Sequence, residues 1–328
     1  MRIGLIGTGR IGALHAHNLS ELPGVTELLL VDAEHGRAAA VAAETGAKVL
    51  PSSAELFAAR PDAVVIASAT ASHPGLITRA ARAGVPAFCE KPVAADLPGT
   101  RAALAEVARA GTVLQIGFMR RFDAGYAAAR EAVRAGRLGR LHTVRTLTAD
   151  PAPPPAGYLP LSGGIFRDCL VHDFDALRWV TGREVVSVYA TGSDAGPPMF
   201  RQADDVDTAA ALLTLDDGTL VTATGTRMNG AGYDVRMELA GERDQIAVGL
   251  GPRTPLGSAE PDAAPRRAVF WQGFLDRFAP AFRAELAAFL DVVRGRRDNP
   301  CEGAEALRAL RVAEACEASR RSGRPIAP

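Results

Sequence analysis

The chain has 328 residues, 48% of them hydrophobic and 23% charged, which is enough for two globular domains with a substantial core and excludes a disordered or fibrous protein. Its formal net charge at pH 7 is zero, so we expect a small-molecule ligand, with no nucleic acid and no membrane surface as partner. No apolar run is long enough for a signal sequence or a membrane span, and the four cysteines lie too far apart for a zinc site or a disulfide framework, which together favour a cytoplasmic location.

The first apolar strand, Arg2 to Ile6, runs directly into a glycine-rich turn and then into a helical pattern. The turn has the G-x-G-x-x-G spacing of a dinucleotide-binding unit, in which glycines allow a tight turn, close approach of a pyrophosphate and close packing of helix on strand. The helix N-terminus then faces the phosphates. The residues predicted to bind the cofactor here are Gly7, Gly9, Arg10, Ile11 and Gly12.

A second apolar strand, Leu28 to Val31, ends in Asp32, twenty residues after Gly12. An acid at this spacing accepts hydrogen bonds from the adenosine ribose hydroxyls. Because its carboxylate repels a 2′-phosphate, the sequence predicts NAD rather than NADP as cofactor. Arg37 is the nearby residue whose charge opposes this prediction.

Two further strands end in polar residues. The buried strand Ala63 to Ala67 leads to His73, and the strand Pro86 to Cys89 leads to Glu90-Lys91-Pro92. Ligands bind at the carboxyl ends of strands in a doubly wound sheet. A histidine at the start of a helix also fits a purely structural role. The residues predicted to line the cofactor site at these strand ends are Ser68, Ala69, Thr70, His73 and Glu90.

The last strand of this unit is predicted at Thr112 to Gly117, which makes residues 1–118 a Rossmann domain with a doubly wound parallel sheet. Residues 119–328 then form a second domain for substrate binding and oligomerisation. Arg120 and Arg121 follow the last strand directly. They are either surface charges or, because they follow a strand end, include a contact to substrate or cofactor, which we assign to Arg121.

The segment from Ser162 to Thr181 predicts a helix that places Asp168 and His172 four residues apart on one face. Such a pair is either an ordinary surface pair or a catalytic one, and the spacing alone leaves both open. The preceding Pro-rich loop 151–160 carries Tyr158 and is either a rim over the site or a plain connector. The apolar residues predicted to form the buried stripe of this helix are Ile165, Cys169, Leu170, Phe174, Leu177 and Val180.

Five later segments alternate as successive strands of the second domain. An open sheet of this size exposes a half-apolar face, which usually finds a partner, so we expect a homo-oligomer, either a dimer or a tetramer. A Pro- and Arg-rich loop is predicted at 251–267, and helices are predicted at Ala281 to Arg294 and Glu302 to Arg321. The last helix either stays with the second domain or packs back on the first. The five strands are Glu184 to Ala190, Asp207 to Leu215, Leu220 to Thr226, Asp234 to Ala240 and Gln245 to Leu250.

Together these motifs resemble the Gfo/Idh/MocA family of oxidoreductases over essentially the whole chain. The resemblance rests on the glycine turn, Thr70-x-x-His73, Glu90-Lys91-Pro92 and Asp168-x-x-x-His172, while Gly117 to Asp123 and Gly232-Tyr233-Asp234 resemble the inositol 2-dehydrogenase branch. It implies an α/β fold, with an N-terminal Rossmann domain and a C-terminal α/β domain that has a large open, mostly antiparallel sheet. It also implies that the catalytic group is Lys91, Asp168 and His172.

The resemblance implies NAD-dependent oxidation of a secondary hydroxyl of a cyclic polyol, most closely of myo-inositol to 2-keto-inositol. The sequence departs from that branch at Thr148 to Pro151, where a His and an Asn are expected, and at Tyr233, where the branch can carry two tyrosines. A dehydrogenase of another sugar, aminocyclitol or anhydrosugar therefore stays open, as does a non-catalytic protein that senses sugar or NAD. The residues predicted to bind substrate are Lys91, Arg121, Tyr158, Asp168, His172 and Tyr233.

Residue chemistry suggests a role for each member of the catalytic group. We assign His172 as the base because imidazole titrates near neutral pH, and Asp168 as a hydrogen-bonding group for a neighbouring hydroxyl. Lys91 steadies the developing charge on the reacting oxygen. Only Lys48 and Lys91 among 37 basic residues are lysines, which draws attention to Lys91. The mechanism needs no metal.

Overall fold

The computed structural model describes residues 1–263 and 269–328. The chain divides into two compact units, one formed by Met1–Phe122 with Pro280–Leu307 and the other by Asp123–Ala279 with Arg308–Pro328. These units differ from the predicted domains 1–118 and 119–328 in two ways. The chain enters the second unit at Asp123, slightly later than predicted, and the later segment Pro280–Leu307 returns to the first unit. The functional domain boundary itself stays a prediction.

The first unit is built on a six-stranded parallel sheet in the order β3-β2-β1-β4-β5-β6. The order reverses between β1 and β4, which is where doubly wound sheets bind ligands outside the strands' carboxyl ends. The predicted Rossmann fold is confirmed. Its elements are β1 (Arg2–Ile6), α1 (Arg10–Glu21), β2 (Glu27–Val31), α2 (His35–Thr45), β3 (Lys48–Val49), α3 (Ser53–Ala58), β4 (Ala63–Ile66), α4 (His73–Arg82), β5 (Ala87–Glu90), α5 (Leu97–Ala110) and β6 (Leu114–Gly117).

The helix ends and the core explain why this unit forms. The side chain of Ser52 accepts a hydrogen bond from the Glu55 amide at 3.3 Å and begins α3, and Asp96 caps α5 in the same way. The strands are apolar on both faces because helices cover both sides of a parallel sheet. Part of that cover comes from the returning C-terminal segment, whose Leu286 and Phe289 are fully buried in the core.

The second unit contains a six-stranded sheet in the order β12-β11-β7-β10-β9-β8. Only the pair β7 and β10 is parallel, so the predicted open, mostly antiparallel sheet is confirmed. Its elements are α6 (Ala124–Arg134), β7 (Leu141–Ala149), α7 (Leu159–Ser162), α8 (Ile165–Asp168), α9 (Val171–Thr181), β8 (Val185–Ser193), α10 (Pro198–Gln202), β9 (Thr208–Leu215), β10 (Leu220–Thr226), β11 (Asp234–Gly241), β12 (Gln245–Val248) and α11 (Phe274–Arg277). Two helices follow in the chain: α12 (Ala279–Val293), which belongs almost wholly to the first unit, and α13 (Gly303–Ser322), which begins in the first unit and continues in the second.

The helix predicted from Ser162 to Thr181 is in fact two helices, α8 and α9, separated by Cys169 and Leu170. The backbone leaves the helical ladder at Leu170, whose side chain is fully buried and lies against Gly225 of β10. Packing against the sheet therefore overrides the local helical pattern, and Asp168 and His172 do not share one continuous helix. All six residues of the predicted apolar stripe are nevertheless buried.

Two loop predictions have different outcomes. The stretch 151–160 contains a short 3-10 turn, Ala156–Tyr158, and leads into α7. The predicted loop 251–267 falls partly on residues 264–268, which lie outside the described residues. Within the described ranges, no helix combines the length and the apolar character that crossing a membrane requires.

Candidate active site

The glycine turn between β1 and α1 has the shape that a pyrophosphate needs. Gly7 has φ +95°, and a Cβ built on Gly12 would lie 1.9 Å from the Gly7 carbonyl oxygen, so any side chain at either position forces the turn apart. A Cβ built on Gly9, in contrast, meets no described atom within 4 Å. The backbone at Gly9 is thus open to a ligand at the start of α1, which fits a dinucleotide phosphate.

Asp32 is held at the carboxyl end of β2 as a hydrogen-bond acceptor. Its Oδ2 accepts from the Thr8 amide at 2.6 Å and from Thr8 Oγ1 at 2.9 Å, and its Oδ1 accepts from the Glu34 amide at 2.8 Å. Burial raises the pKa of this carboxyl, but the hydrogen bonds from Thr8 and Glu34 outweigh burial and leave the pKa below its usual value. An ionised Asp32 has lone pairs left for a ribose diol.

Arg37, whose charge opposes the NAD prediction, lies beside two acidic side chains. Its Nη2 lies 2.6 Å from Glu34 Oε1 and its Nη1 lies 3.5 Å from Asp32 Oδ1. Its positive charge is therefore offset at the place where a 2′-phosphate would have to bind, which favours NAD.

His73 connects two loops instead of presenting its ring to a ligand. The ring is 1% exposed, with Nδ1 2.7 Å from the Pro92 carbonyl oxygen and Nε2 2.9 Å from the Ser68 carbonyl oxygen. Both ring nitrogens thus lie at hydrogen-bond distance from backbone carbonyl oxygens of two different loops. Through these contacts His73 fixes the loop after β4 to the residue that follows Lys91.

Two other predicted contacts are buried among residues of the same unit. Glu90 is 6% exposed, and its Oε1 lies 2.7 Å from Nε2 of His15. Arg121 is 7% exposed, donates from Nη1 to the Pro300 carbonyl at 3.1 Å and pairs with Glu305 at 2.9 Å. Both positions suit residues that support neighbouring groups, and their contacts with cofactor or substrate stay predictions.

In the second unit, Asp168 accepts a hydrogen bond on each of its carboxylate oxygens. Tyr158 donates from its hydroxyl to Oδ1 at 2.9 Å, and Arg227 donates from Nη1 to Oδ2 at 3.0 Å. Burial of the hydroxyl, followed by the charge of Asp168, raises the pKa of Tyr158 well above its usual range, so Tyr158 remains a donor. Arg227 is 2% exposed and also faces Asp205 at 3.9 Å. Tyr158 was predicted from the sequence as a site residue, whereas Arg227 was not.

The parallel pair β7 and β10 explains where Asp168 sits. Because both strands point the same way, Asp150 after β7 and Arg227 after β10 emerge at one end of the sheet, where Asp150 N donates to the Thr226 carbonyl at 2.9 Å. Asp234 of β11 pairs with Ala149, which brings the buried Tyr233 to the same end. The predicted residues Tyr158, Asp168 and Tyr233 thus belong to one end of one sheet.

His172 lies in the first turn of α9, four residues after Asp168, and is half-buried. The Sγ atom of Cys169, between them, lies 3.7 Å from Asp150 Oδ2. Asp150 is therefore a further polar group beside this segment, at the point where the sequence departs from the inositol branch. Asp150 directly follows β7 and lies within the stretch Thr148 to Pro151, where the departure from that branch was the signal available for it.

Residues 1–118 match the sequence model of an oxidoreductase family with an NAD-binding Rossmann fold, and residues 126–247 match the Gfo/Idh/MocA C-terminal domain. The chain belongs to the Gfo/Idh/MocA family of oxidoreductases. The suspected family, the NAD-binding fold and the class of enzyme are thereby confirmed.

Full-length relatives and solved structures of this family resemble the chain. A myo-inositol dehydrogenase of Streptomyces leeuwenhoekii is 43% identical, with 100% of both chains covered. The crystal structure of a myo-inositol dehydrogenase from Corynebacterium glutamicum has a TM-score of 0.91 at 34% identity and covers 100% of this chain and 98% of its own. A scyllo-inositol dehydrogenase from Lactobacillus casei, crystallised with NAD(H) and scyllo-inositol, has a TM-score of 0.90 at 28% identity over 100% of this chain and 98% of its own.

The buried pair of Arg227 and Asp168 makes a prediction about stability. Removing one partner of a buried ion pair leaves an uncompensated charge, so Arg227→Met is expected to lower the free energy of unfolding by about 3 kcal/mol. The matched control is Arg145→Met, because Arg145 pairs with Glu238 on the same sheet but is 66% exposed. It should cost less than about 1 kcal/mol. Urea denaturation followed by circular dichroism measures both, and equal costs would contradict this account of Arg227.

Proposed function

We propose that this protein oxidises a secondary hydroxyl group of a cyclic polyol or sugar, most closely myo-inositol to 2-keto-inositol, with NAD as the hydride acceptor. The observation that carries the proposal is that Arg227 and Tyr158 donate hydrogen bonds to Asp168, at 3.0 and 2.9 Å, four residues before His172. The acid of the family's Asp-x-x-x-His motif is thus held in a defined orientation. The inositol dehydrogenases similar to this chain over its full length support the same substrate class.

The chemistry divides among the chain's own residues. When bound, NAD supplies the acceptor for a hydride. His172 takes the hydroxyl proton, and Lys91 donates a hydrogen bond to the reacting oxygen, where negative charge develops. Asp168, held by Tyr158 and Arg227, is proposed to accept a hydrogen bond from a neighbouring hydroxyl of the substrate. Tyr233 and Arg121 are proposed to complete the substrate contacts.

A different cyclic substrate is the second candidate, and one observation favours keeping it. The hydroxyl of Thr148 donates to Asp173 at 2.6 Å, and Asp150 follows at the strand end. These residues stand where the inositol branch is expected to carry a His and an Asn, so another sugar, an aminocyclitol or an anhydrosugar is the alternative. A sensor without turnover is less well supported, since it needs no complete catalytic set.

We further propose a cytoplasmic homo-oligomer, a dimer or a tetramer. Strands β8, β9 and β10 expose Val186, Tyr189, Leu212 and Leu220, each between 46% and 49%. Tyr189 and Leu212 are direct neighbours in the ladder, so these two exposed side chains are contiguous. A second copy of the chain would cover this surface.

A panel of polyols and sugars tests the function directly. With NAD, the increase in NADH absorbance should be largest for an inositol and should exceed the rate with NADP. Asp32→Ala should narrow that cofactor preference, because it removes both the ribose acceptor and the charge that repels a phosphate. A faster reaction with NADP in the unaltered protein would refute the role given to Asp32, and inactivity with every polyol would refute the proposed reaction.

Replacement of the proposed catalytic lysine gives a second test. Lys91→Arg should lower kcat by at least about a hundredfold, because a wide, forked guanidinium cannot replace a compact ammonium at one oxygen. The affinity for NADH, measured by fluorescence, should change much less. The control is Lys48→Arg, since Lys48 is the chain's other lysine and is exposed on β3. Near-normal kcat in Lys91→Arg would remove Lys91 from the catalytic group.

The proposed oligomer is tested by the mass of the protein in solution. Sedimentation at micromolar concentration should give a multiple of the single-chain mass of 34.3 kDa. Leu212→Glu should shift it towards one chain, because a charge in the middle of a covered apolar surface is costly. Leu256→Glu, at a residue 56% exposed in a loop, is the control and should leave the mass unchanged. A single-chain mass in the unaltered protein would overturn the proposal.

A further inference from the structure

A cluster of three titratable side chains lies buried inside the first unit. His15 of α1, Glu90 at the end of β5 and Glu285 of α12 have side-chain atoms within 4.8 Å of one another. His15 and Glu285 are 0% exposed and Glu90 is 6% exposed. Such a group in the core is costly unless its charges are compensated. The next residue after Glu90 is Lys91, so the cluster lies directly beside a proposed catalytic group.

Glu285 is the unusual member. Neither of its carboxyl oxygens has a hydrogen-bond partner among the described residues, although both are buried. Phe282, from the same helix, packs edge-on against the His15 ring with the ring centroids 5.9 Å apart, so an aromatic ring borders the cluster. A carboxylate without donors is strongly disfavoured there, whereas a protonated carboxyl group is not. Burial, followed by the charge of Glu90, raises the pKa of Glu285 well above its usual value.

The other side chains around Glu90 leave room for a donor. His15 Nε2 lies at hydrogen-bond distance, 2.7 Å, from Oε1 of Glu90. The titratable thiol of Cys89 donates to the backbone oxygen of Glu90 at 3.2 Å and leaves the carboxylate untouched. Gly117 of β6 has no side chain at the place where a Cβ would lie 3.0 Å from Glu90 Oε2. No side chain at position 117 therefore blocks Oε2 of Glu90 from a second hydrogen bond, and Glu285 is the neighbouring carboxyl group in the cluster.

A divalent cation fits these atoms less well than a proton. Neighbouring ligands around a tetrahedral metal lie about 3.3 Å apart at metal–ligand distances of about 2.0 to 2.1 Å. The distance of 2.7 Å between His15 Nε2 and Glu90 Oε1 is that of a hydrogen bond and is shorter than the spacing of two ligands on one metal.

We propose that Glu285 keeps its proton in the folded protein and donates it towards Glu90, so that His15, Glu90 and Glu285 form one buried hydrogen-bonded cluster that positions Lys91. Glu90 is fixed from one side by this cluster, while Pro92 is fixed from the other by His73. Lys91 is thereby held between two anchored neighbours. Glu285 is a positioning residue, and the benefit to catalysis rests on the function proposed above.

The protonation state is tested without any activity. Infrared difference spectra between the unaltered protein and Glu285→Gln at neutral pH should contain the C=O stretch of a protonated carboxylic acid, lost in the variant. Because an unfolded glutamate ionises above about pH 4.3, folding must retain a proton at higher pH. Glu285→Gln should therefore gain melting temperature over the unaltered protein as the pH rises from about 5 to about 8, and the two should converge below about pH 4.

The positioning role is tested by kinetics with the best polyol. Glu285→Gln, which keeps a donor of the same shape, should retain kcat within about twofold. Glu285→Leu should fold at least as stably, because an apolar residue of similar volume replaces a buried acid, yet lower kcat at least about tenfold with little change in KM for NAD, since small misplacements of a catalytic group are costly. A merely structural residue would not lose kcat while gaining stability.

The outcomes separate this inference from the proposed function. A missing carboxylic acid band, or stoichiometric metal that Glu285→Gln loses in elemental analysis, overturns the proton cluster. Equal kcat in Glu285→Gln and Glu285→Leu overturns the positioning role. Inactivity of the unaltered protein with every polyol refutes the proposed reaction, while the infrared and melting results still decide whether Glu285 carries its proton.

Discussion

The cost of burying a carboxylate shapes both halves of this protein. Each acid placed near the proposed chemistry has a specific compensation: Thr8 and Glu34 amides for Asp32, His15 for Glu90, and Arg227 with Tyr158 for Asp168. An acid without such donors must hold a proton or lose stability. The compensating groups also fix where each carboxylate points, so the same contacts that permit burial set the geometry of the site.

Different constraints operate at the turns that follow strands β1 and β5 of the Rossmann sheet. At the turn after β1, the backbone itself must fill the space, and Gly7 and Gly12 leave no room for side chains. At the turn after β5, side chains hold the backbone in place, because His73 contacts the Pro92 carbonyl oxygen and His15 contacts Glu90. The first turn is thus suited to receive a backbone-bound phosphate, and the second to hold one lysine in place.

Local patterns were enough to predict much of the fold. The glycine spacing and the strand alternation predicted the Rossmann fold and most strand positions of the second sheet, because those signals act within a few residues. The break at Leu170 was not predictable, since it depends on packing against Gly225, far along the chain. Arg227 was missed for the same reason: nothing local distinguishes it from other arginines until β10 pairs in parallel with β7.

The return of Pro280–Leu307 to the first unit has a consequence for synthesis of the chain. Leu286, Phe289 and Leu290 complete a core whose strands all lie before residue 118, so the nucleotide-binding half exposes apolar surface until this later segment has also been synthesised. The nucleotide-binding half therefore cannot finish folding first, although its strands are made first. A nascent chain stalled before Pro280 should be a client for chaperones, and emergence of Pro280–Leu307 should be the event that closes its core.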